Sequence, residues 1–278
     1  MTHSRNAIMG LLELHGLKPS RALGQNFVAD GNTVRRIVRL AEIQSGQRVV
    51  EIGAGLGSLT LALAEVGAQV TAIDIDKYLL PVLRTVVEPV GVTVIEGDAM
   101  TLDWAALLKG EPHMLVANLP YNVATPLVCD LLDDVPLITD MLVMVQLEVG
   151  ERMAAPVRTD PYGAVSVKIA YHAEAKVVGK VPPSVFVPQP RVDSALVRIR
   201  RRPMPAVAEP HDRRLLFELV KAGFGQRRKM LRSSLKVHHV TDDEFEAAGF
   251  AGTCRAEEID VHGWGRLAVV VGSRGASA

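Results

Sequence analysis

The stretch RVVEIGAGLGSLT (48–60) decides how the rest of the chain is interpreted. Its opening RVVEIG is an apolar run of the length of a buried strand, and the AGLGS that follows is rich in glycine. The next residues, LTLALAEVG, have the apolar content of a helix that packs on a sheet. Glycine allows sharp bends and lets a ligand approach the backbone, so this stretch predicts a strand, a ligand-binding turn and a helix.

The same alternation of strand and helix continues to residue 146. Further apolar runs of strand length occur at 69–76, 92–100, 113–121 and 140–146. Helix-like segments lie between them, and this order indicates a parallel sheet with helices on both faces. TPLVCDLLDD (125–134) is predicted to be one of these helices, with Thr125 as its N-cap and Pro126 at its first position.

The pattern changes in the second half of the chain. Three segments look rich in strand, namely AVSVKIAYHAEA (164–175), KVVGKVPPSVFVP (176–188) and VDSALVRIR (192–200). RRPMPAVAEP (201–210) is rich in proline and charge and predicts a linker. Apolar residues at helical spacing follow, with Trp264 as a core residue, so we expect an α/β domain over 1–203 and a small helical domain over 204–278.

Composition excludes several classes of protein. The chain has 278 residues, of which 48% are apolar, and no apolar run reaches the roughly 18 residues of a membrane span. Cys129 and Cys254 lie far apart without a CxxC spacing, which argues against a disulfide, a metal centre and a cysteine nucleophile. The histidines show no metal-ligand spacing either. We expect a soluble, cytoplasmic protein with no signal peptide, no membrane segment and no metal.

The charge is balanced overall but unevenly distributed. The formal net charge is zero, yet residues 198–236 contain twelve Lys/Arg and only three Asp/Glu. Residues 41–197 have the opposite bias, with ten Lys/Arg and nineteen Asp/Glu. Solvated helix faces would explain part of this asymmetry, but a basic segment of this density favours a surface that binds a polyanion such as nucleic acid.

The glycine turn and two later carboxylates predict a nucleoside site. Gly53, Gly55 and Gly57 follow a strand and precede a helix, whose N-terminus offers free N–H groups. The second strand ends at Asp74, which can accept hydrogen bonds from ribose hydroxyls, and Asp98 after the third strand can reach an adenine amino group. The G-x-G-x-G spacing is not the G-x-G-x-x-G of NAD sites, so it favours S-adenosylmethionine, which has no pyrophosphate.

VANLPY (116–121) predicts the second half of the active site. An exocyclic amine of a purine is a poor nucleophile, because its lone pair is delocalised into the ring. The Asn118 amide oxygen and a backbone carbonyl could accept from the two N–H groups and free that lone pair, while Pro120 fixes the turn and Tyr121 stacks on the base. The alternative to this active-site interpretation is that Asn118 and Pro120 form an ordinary turn and Tyr121 is a core residue.

These motifs together resemble the small-subunit ribosomal RNA adenine N6,N6-dimethyltransferases of the KsgA type. The resemblance rests on EIGAGLGSLT and NLPY, and it covers roughly residues 18 to 270. Further matching segments are LGQNF (23–27), AIDID (72–76), GDAM (97–100), VPPSVFVPQPRVDSALVRI (181–199), FGQRRKMLRSSL (224–235) and RAEEI (255–259). The resemblance implies a Rossmann-like class I methyltransferase domain followed by a small C-terminal helical domain.

The resemblance also implies a role for each matching residue. The donor S-adenosylmethionine would be held by Asn26, Val28, Gly53, Gly55, Asp74, Asp98 and Asn118. The target N6 would be held by Asn118 and by the carbonyls of Leu119 and Pro120, with Tyr121 and Phe186 on either side of the base. RNA phosphates would be neutralised by Arg227, Arg228, Lys229 and Arg232. Gln25 and Asn26 could instead cap a helix, and Phe186 could be a core residue.

We therefore expect an enzyme that dimethylates two adjacent adenosines in a terminal hairpin loop of small-subunit rRNA, as a monomer within a pre-30S particle. The sister group that methylates a large-subunit adenine is an alternative, and so is a ribosome-assembly factor for which transfer is secondary. A nicotinamide-dependent dehydrogenase would require another glycine spacing.

Overall fold

The computed structural model describes residues 2–207 and 212–276, and these form two compact units. The first unit contains Met1–Gly150 and Lys176–Arg201, and the second contains Glu151–Ala175 and Arg202–Ala278. The predicted boundary after residue 203 therefore differs from the observed division, because residues 151–175 belong to the second unit. The predicted linker at 201–210 lies partly outside the described residues.

Within residues 2–207 and 212–276, nine strands form a seven-stranded sheet and a separate pair. Their bounds are β1 Phe27–Val28, β2 Arg48–Ile52, β3 Gln69–Asp74, β4 Thr93–Glu96, β5 His113–Asn118, β6 Ile138–Gln146, β7 Ala173–Val181, β8 Phe186–Val187 and β9 Ser194–Arg201. The order in the large sheet is β4-β3-β2-β5-β6-β9-β7. All five predicted strands are present, and they pair in parallel, whereas β9 runs antiparallel to β6.

Twelve α-helices accompany these strands in the described residues. They are α1 Arg5–Leu14, α2 Gly31–Ala41, α3 Ser58–Glu65, α4 Leu80–Val87, α5 Trp104–Leu108, α6 Ala124–Asp134, α7 Leu147–Met153, α8 Ala164–His172, α9 Arg213–Gly225, α10 Leu231–Ser234, α11 Asp242–Ala247 and α12 Val261–Gly272. None of the helices in 2–207 and 212–276 is long and apolar enough to cross a membrane.

Two predictions about secondary structure are wrong. Most of AVSVKIAYHAEA is not a strand but helix α8, because Val167 and Tyr171 lie four residues apart and pack together into the core of the second unit. Helix α6 begins at Ala124 without a side-chain cap, and not after Thr125. The carbonyl of Pro120 accepts the N–H groups of Val123 and Ala124, so the first turn starts earlier than the sequence pattern predicts.

The first unit places its polar loops at one edge of the sheet. Val49 and Val50 of β2 and Leu115 and Val116 of β5 are fully buried, so these strands form the centre of the sheet. Parallel strands direct their carboxyl ends to the same edge. The glycine turn after β2, Asp74 at the end of β3, Asp98 after β4 and Asn118 at the end of β5 therefore meet there.

The second unit is a helical cluster around Trp264, as predicted for this residue. Trp264 is fully buried on α12 and shares a core with Leu216 and Leu219 of α9. A Cβ atom on Gly223 would lie 2.5 Å from Cη2 of Trp264, so the close approach of α9 to the indole requires glycine at this position.

Candidate active site

The glycine turn after β2 has a backbone that other residues rarely adopt. Gly53, Gly55 and Gly57 have φ values of 73°, 58° and 83°, all in the left-handed region. A Cβ atom on Gly55 would lie 2.9 Å from Cε1 of Phe27, and one on Gly57 would lie 2.7 Å from Cγ1 of Val87. The turn is therefore fixed by both conformation and packing, with its backbone exposed to the cavity described below.

Asp74 holds the glycine turn and also lines that cavity. Its Oδ2 accepts the N–H of Gly55 at 2.7 Å, and its Oδ1 accepts the N–H of Asp76 at 2.9 Å. Burial raises the pKa of the Asp74 carboxyl, although these two backbone hydrogen bonds oppose the shift. Each oxygen keeps a second lone pair, so Asp74 can still accept from the hydroxyls of a ribose.

A cavity of about 780 Å³, including the solvent at its mouth, opens at this edge of the sheet. The predicted site residues that line it are Asn26, Gly53, Gly55, Asp74, Asp98, Asn118, Leu119, Pro120 and Tyr121. Val28 and Phe186 do not line it, and neither does Gly57 of the glycine turn.

Apolar side chains at the rim of the cavity were missed by the sequence reasoning. Ile75 and Met100 line the cavity and are 51% and 39% exposed, which is high for apolar residues. Ile75 follows directly after Asp74, and Met100 lies two residues after Asp98, so their positions in the sequence could have predicted that they line the cavity. Asp98 accepts the N–H of Met100 through Oδ1, and its Oδ2 accepts no hydrogen bond from the described residues. This arrangement offers apolar faces and one free acceptor to an aromatic base.

Asn118 is oriented by the loop before β1. Its Nδ2 donates to the backbone carbonyl of Asn26 at 2.8 Å. A carbonyl can only accept, so the amide must turn its NH₂ toward Asn26. The Oδ1 atom then accepts no hydrogen bond from the described residues and is available at the cavity wall.

Of the two backbone carbonyls predicted to hold the target amine, one is free in the described structure and one is engaged. The Leu119 carbonyl accepts no hydrogen bond within the described residues, while the Leu119 N–H donates to Met144 at 3.1 Å. The Pro120 carbonyl accepts the N–H groups of Val123 and Ala124 at 3.2 and 3.1 Å. The Pro120 carbonyl is therefore already engaged at the start of α6, which favours the Leu119 carbonyl as the acceptor for the target amine.

Tyr121 is half-buried and its hydroxyl is fixed inside the sheet. The hydroxyl shares a hydrogen bond of 2.7 Å with Oγ of Ser194, which is completely buried at the start of β9. Burial raises the pKa of the Tyr121 phenol, with the Ser194 hydrogen bond opposing the shift. Tyr121 therefore stays neutral at physiological pH, and Ser194 is a contact that the sequence reasoning did not identify.

Phe186 and Val28 are buried and do not line the main cavity. They pair with each other across the short β1–β8 ladder. Phe186 has no exposed surface and Val28 is 5% exposed, and both belong to the main core cluster of the first unit. In this structure Phe186 has no free face for a base, so its predicted contact is not formed. Val28 lines a small neighbouring pocket together with Gly53 and Asn118, which also line the main cavity, so its contact with the donor stays a prediction. The alternative of a core Phe186 is the observed one.

The loop before β1 is tied to the cavity by Gln25 and Asn26. Gln25 donates from Nε2 to Asp76 at 2.7 Å and accepts the Ser20 N–H at 2.7 Å. Asn26 donates from its side chain to the Gly24 carbonyl at 3.1 Å. Neither residue caps a helix, because Asp30 caps α2 by accepting the Thr33 N–H.

Glu51 lies beneath the glycine turn. It is 2% exposed, and its Oε2 has no hydrogen-bond partner among the described residues. Burial raises the pKa of the Glu51 carboxyl to about 8, with a smaller contribution of the same sign from Asp74, while Thr60 opposes the shift. Glu51 is therefore largely protonated at neutral pH in the folded protein.

The predicted phosphate-binding residues of the second unit fall into two groups. Arg228, Lys229 and Arg232 are exposed, and their side chains make no ion pair in the described part of the chain. Arg227 instead forms an ion pair of 2.8 Å with Glu257 and donates to the Asp160 carbonyl. The structure thus leaves three of the four cations free for phosphate and uses Arg227 to hold the second unit together.

Among the described residues, no group of three or more His, Cys, Asp or Glu side chains is placed to hold a metal ion.

The sheet order and the polar residues at its edge define the class of protein. A glycine turn after β2, acidic residues after β3 and β4, and Asn-Leu-Pro-Tyr after β5 make this chain a class I methyltransferase, the class that uses S-adenosylmethionine as donor. Its fold is shared with a dimethyladenosine transferase from Plasmodium falciparum, at a TM-score of 0.73, 24% identity and coverage of 88% of this chain and 97% of that chain.

Comparison of the sequence identifies the family. Residues 16–265 match the family model described as ribosomal RNA adenine dimethylase, and the chain belongs to this family. The resemblance that the motifs indicated is thereby confirmed.

Two curated relatives are each called ribosomal RNA small subunit methyltransferase A. The relative from Magnetococcus marinus is 44% identical over 262 residues, covering 93% of this chain and 94% of that protein. The relative from Cutibacterium acnes is 45% identical over 274 residues, covering 94% and 91%. The 23S rRNA methyltransferase ErmE is less similar, with 28% identity, a TM-score of 0.66 and coverage of 88% and 99%.

Proposed function

We propose that this chain transfers methyl groups from S-adenosylmethionine to N6 of two adjacent adenosines in a terminal hairpin loop of small-subunit rRNA, giving N6,N6-dimethyladenosine. The observation that carries the proposal is the pair of unengaged acceptors at one cavity wall, Oδ1 of Asn118 and the Leu119 carbonyl. A primary amine has two N–H groups, and two acceptors match them.

The residues of the cavity fit the donor. Asp74 has lone pairs free for a ribose, Asp98 has an oxygen without a protein partner, and Ile75 and Met100 offer apolar surface beside it. The strained glycine turn leaves no room for side chains where a ligand must approach the backbone. The donor supplies an electrophilic methyl group on a positively charged sulfur.

The chain's own residues prepare the acceptor amine. Asn118 and the Leu119 carbonyl accept the two N–H groups and draw the nitrogen toward a tetrahedral geometry, which exposes its lone pair. The new N–C bond forms as the S–C bond breaks, and the N6 proton leaves to solvent because the alkylated amine is acidic. After the first transfer a single N–H remains, so one acceptor suffices for the second.

The substrate is proposed to be a small subunit during its assembly. The curated relatives at 44% and 45% identity are named for the small subunit, whereas the large-subunit enzyme ErmE is 28% identical. Loop adenines are already partly unstacked, and turning one out of the loop costs only a few kcal/mol. Arg228, Lys229 and Arg232 would bind phosphates of the folded rRNA. We further propose that the chain acts as a monomer, in the cytoplasm, on a pre-30S particle.

The test is methyl transfer from labelled donor to small subunits purified from a strain that lacks the dimethylation. Mature small subunits, large subunits and protein-free rRNA are the controls, and the product nucleoside is identified by mass. We expect dimethyladenosine on the undermethylated small subunits alone. Label on large-subunit rRNA would assign the chain to the sister activity, and donor binding without transfer to any RNA would contradict the proposed reaction.

A further inference from the structure

Ser194 is a polar residue in a position where the chain otherwise places apolar ones. It begins β9, has no exposed surface and precedes Ala195, Leu196 and Val197, which are also fully buried. A buried hydroxyl is costly unless it is hydrogen-bonded, so a specific partner is needed to explain a serine here.

That partner is the hydroxyl of Tyr121. The two oxygens lie 2.7 Å apart, and within the described residues Ser194 Oγ makes no other hydrogen bond. Tyr121 lines the donor cavity and lies two residues after Leu119, whose carbonyl is free. The hydroxyl pair therefore links the active-site turn to β9.

The link fixes the Tyr121 ring at both ends. On the backbone side, the Pro120 carbonyl holds the start of α6 through two hydrogen bonds. On the hydroxyl side, Ser194 pairs with Gln146 of β6, and β6 pairs with Asn118 of β5. The turn follows β5 and Ser194 begins β9 of the same sheet, so a rotation of the Tyr121 side chain about its Cα–Cβ bond, which displaces the hydroxyl, would break the hydrogen bond.

We propose that Ser194 is a positioning residue, which fixes where the Tyr121 ring, against which the target adenine stacks, lies at the cavity wall. The inference rests on the proposed function, since it assigns the stacking face of that same site. The inference also explains why residue 121 is tyrosine, since phenylalanine would stack equally well but could not form a hydrogen bond with Ser194 of β9. Preorganised orientation of this kind acts on the transfer step and not on donor binding.

The test compares Ser194→Ala, Tyr121→Phe and the double variant in the full-length chain. Ser166→Ala is the matched control, because Ser166 is also buried and hydrogen-bonded, to the Arg152 carbonyl, but lies on α8. Methyl transfer to undermethylated small subunits gives kcat and the KM for donor, and thermal unfolding gives the Tm of each variant.

We expect each single substitution to lower kcat roughly threefold to tenfold, as for loss of one neutral hydrogen bond, with the KM for donor unchanged. The double variant should be no slower than the slower single variant, because both changes remove the same bond. Full activity of Ser194→Ala, losses that multiply in the double variant, or an equal loss in Ser166→Ala would each overturn the inference. Absence of transfer by the unmodified chain would instead contradict the proposed function.

Discussion

At the scale of single residues, the active site is defined by which polar atoms are already engaged. Asn118 and Pro120 are two residues apart, yet Oδ1 of Asn118 is free and the Pro120 carbonyl is occupied by the start of α6. The carboxylate oxygens of Asp74 are engaged and available at the same time, since they accept hydrogen bonds from the glycine turn and from Asp76 and keep further lone pairs for a ligand.

Removing the free amide oxygen should affect transfer far more than donor binding. We expect Asn118→Ala to lower kcat by about 100-fold or more, the range for loss of a preorganised polar group that acts in the transition state. Isothermal titration should give a donor Kd within about threefold of the unmodified chain. Asn32→Ala, on the exposed start of α2, is the control. An equal loss of donor affinity would show that Asn118 acts mainly in donor binding.

Glu51 should make the stability of the protein depend on pH. Its pKa is about 8 in the folded state against an ordinary value of 4.5, so the folded state holds a proton that the unfolded state loses within this window. A carboxyl with a raised folded pKa costs stability as pH rises, here by up to about 1.4 kcal/mol per pH unit between those two values.

The variant Glu51→Gln should lack this part of the pH dependence. Urea unfolding at pH 5.5 and pH 8 should show the variant gaining stability relative to the unmodified chain as pH rises. Asp74 also has a raised pKa and is present in both proteins, so the difference between them reports Glu51 together with its electrostatic effect on Asp74. The same pH dependence in both proteins would mean that Glu51 is ionised when folded.

At the scale of the elements, turns decide where the chemistry can occur. The glycine turn joins β2 to α3 with three left-handed residues, and the Asn-Leu-Pro-Tyr turn joins β5 to α6 with the Pro120 carbonyl as its closing acceptor. Parallel strands bring both turns to one edge, so two segments far apart in sequence form one cavity.

A single methyl group on the glycine turn should disrupt the cavity. Gly55→Ala would place Cβ 2.9 Å from Phe27 and would also hold alanine at a φ of 58°. We expect a loss of about 1–3 kcal/mol in stability and at least tenfold weaker donor binding, measured by thermal unfolding and titration. Gly10→Ala is the matched control, because nothing lies within 4 Å of its Cβ position on α1 and alanine favours helix. Donor affinity retained in Gly55→Ala would contradict the role of the turn.

At the scale of the whole molecule, charge is divided between the two compact units. Of the basic residues predicted to meet RNA, Arg228, Lys229 and Arg232 are exposed in the second unit, whereas Arg227 is paired with Glu257. The density of cations in the sequence therefore overstates the number available to phosphate.

Substitution of Arg228 and Arg227 should have different effects, the first on RNA binding and the second on stability. Arg228→Gln should weaken binding of small-subunit rRNA and lower the slope of log K against log salt by roughly 0.7–0.9, the value for one phosphate contact. Arg227→Gln should instead lower the Tm, because it leaves Glu257 and the Asp160 carbonyl without their cation. Filter binding at several salt concentrations and thermal unfolding would measure both effects, and a reversed pattern would contradict this division.

The sequence by itself determined the five parallel strands, the glycine turn, the acidic residues at the strand ends and the family. These follow from local patterns, because apolar periodicity and glycine positions report the conformation of short segments. The core position of Trp264 was also readable from its apolar surroundings.

The tertiary structure alone decided which atoms are free. Whether Pro120 offers its carbonyl depends on where α6 starts, whether Phe186 faces the cavity depends on its pairing with β1, and whether Arg227 meets RNA depends on Glu257, 30 residues away. Ser194 and Tyr121 are 73 residues apart and meet only because β9 inserts antiparallel beside β6. Hydrogen-bond partners distant in sequence leave no local pattern, so function at this level became visible only in the folded chain.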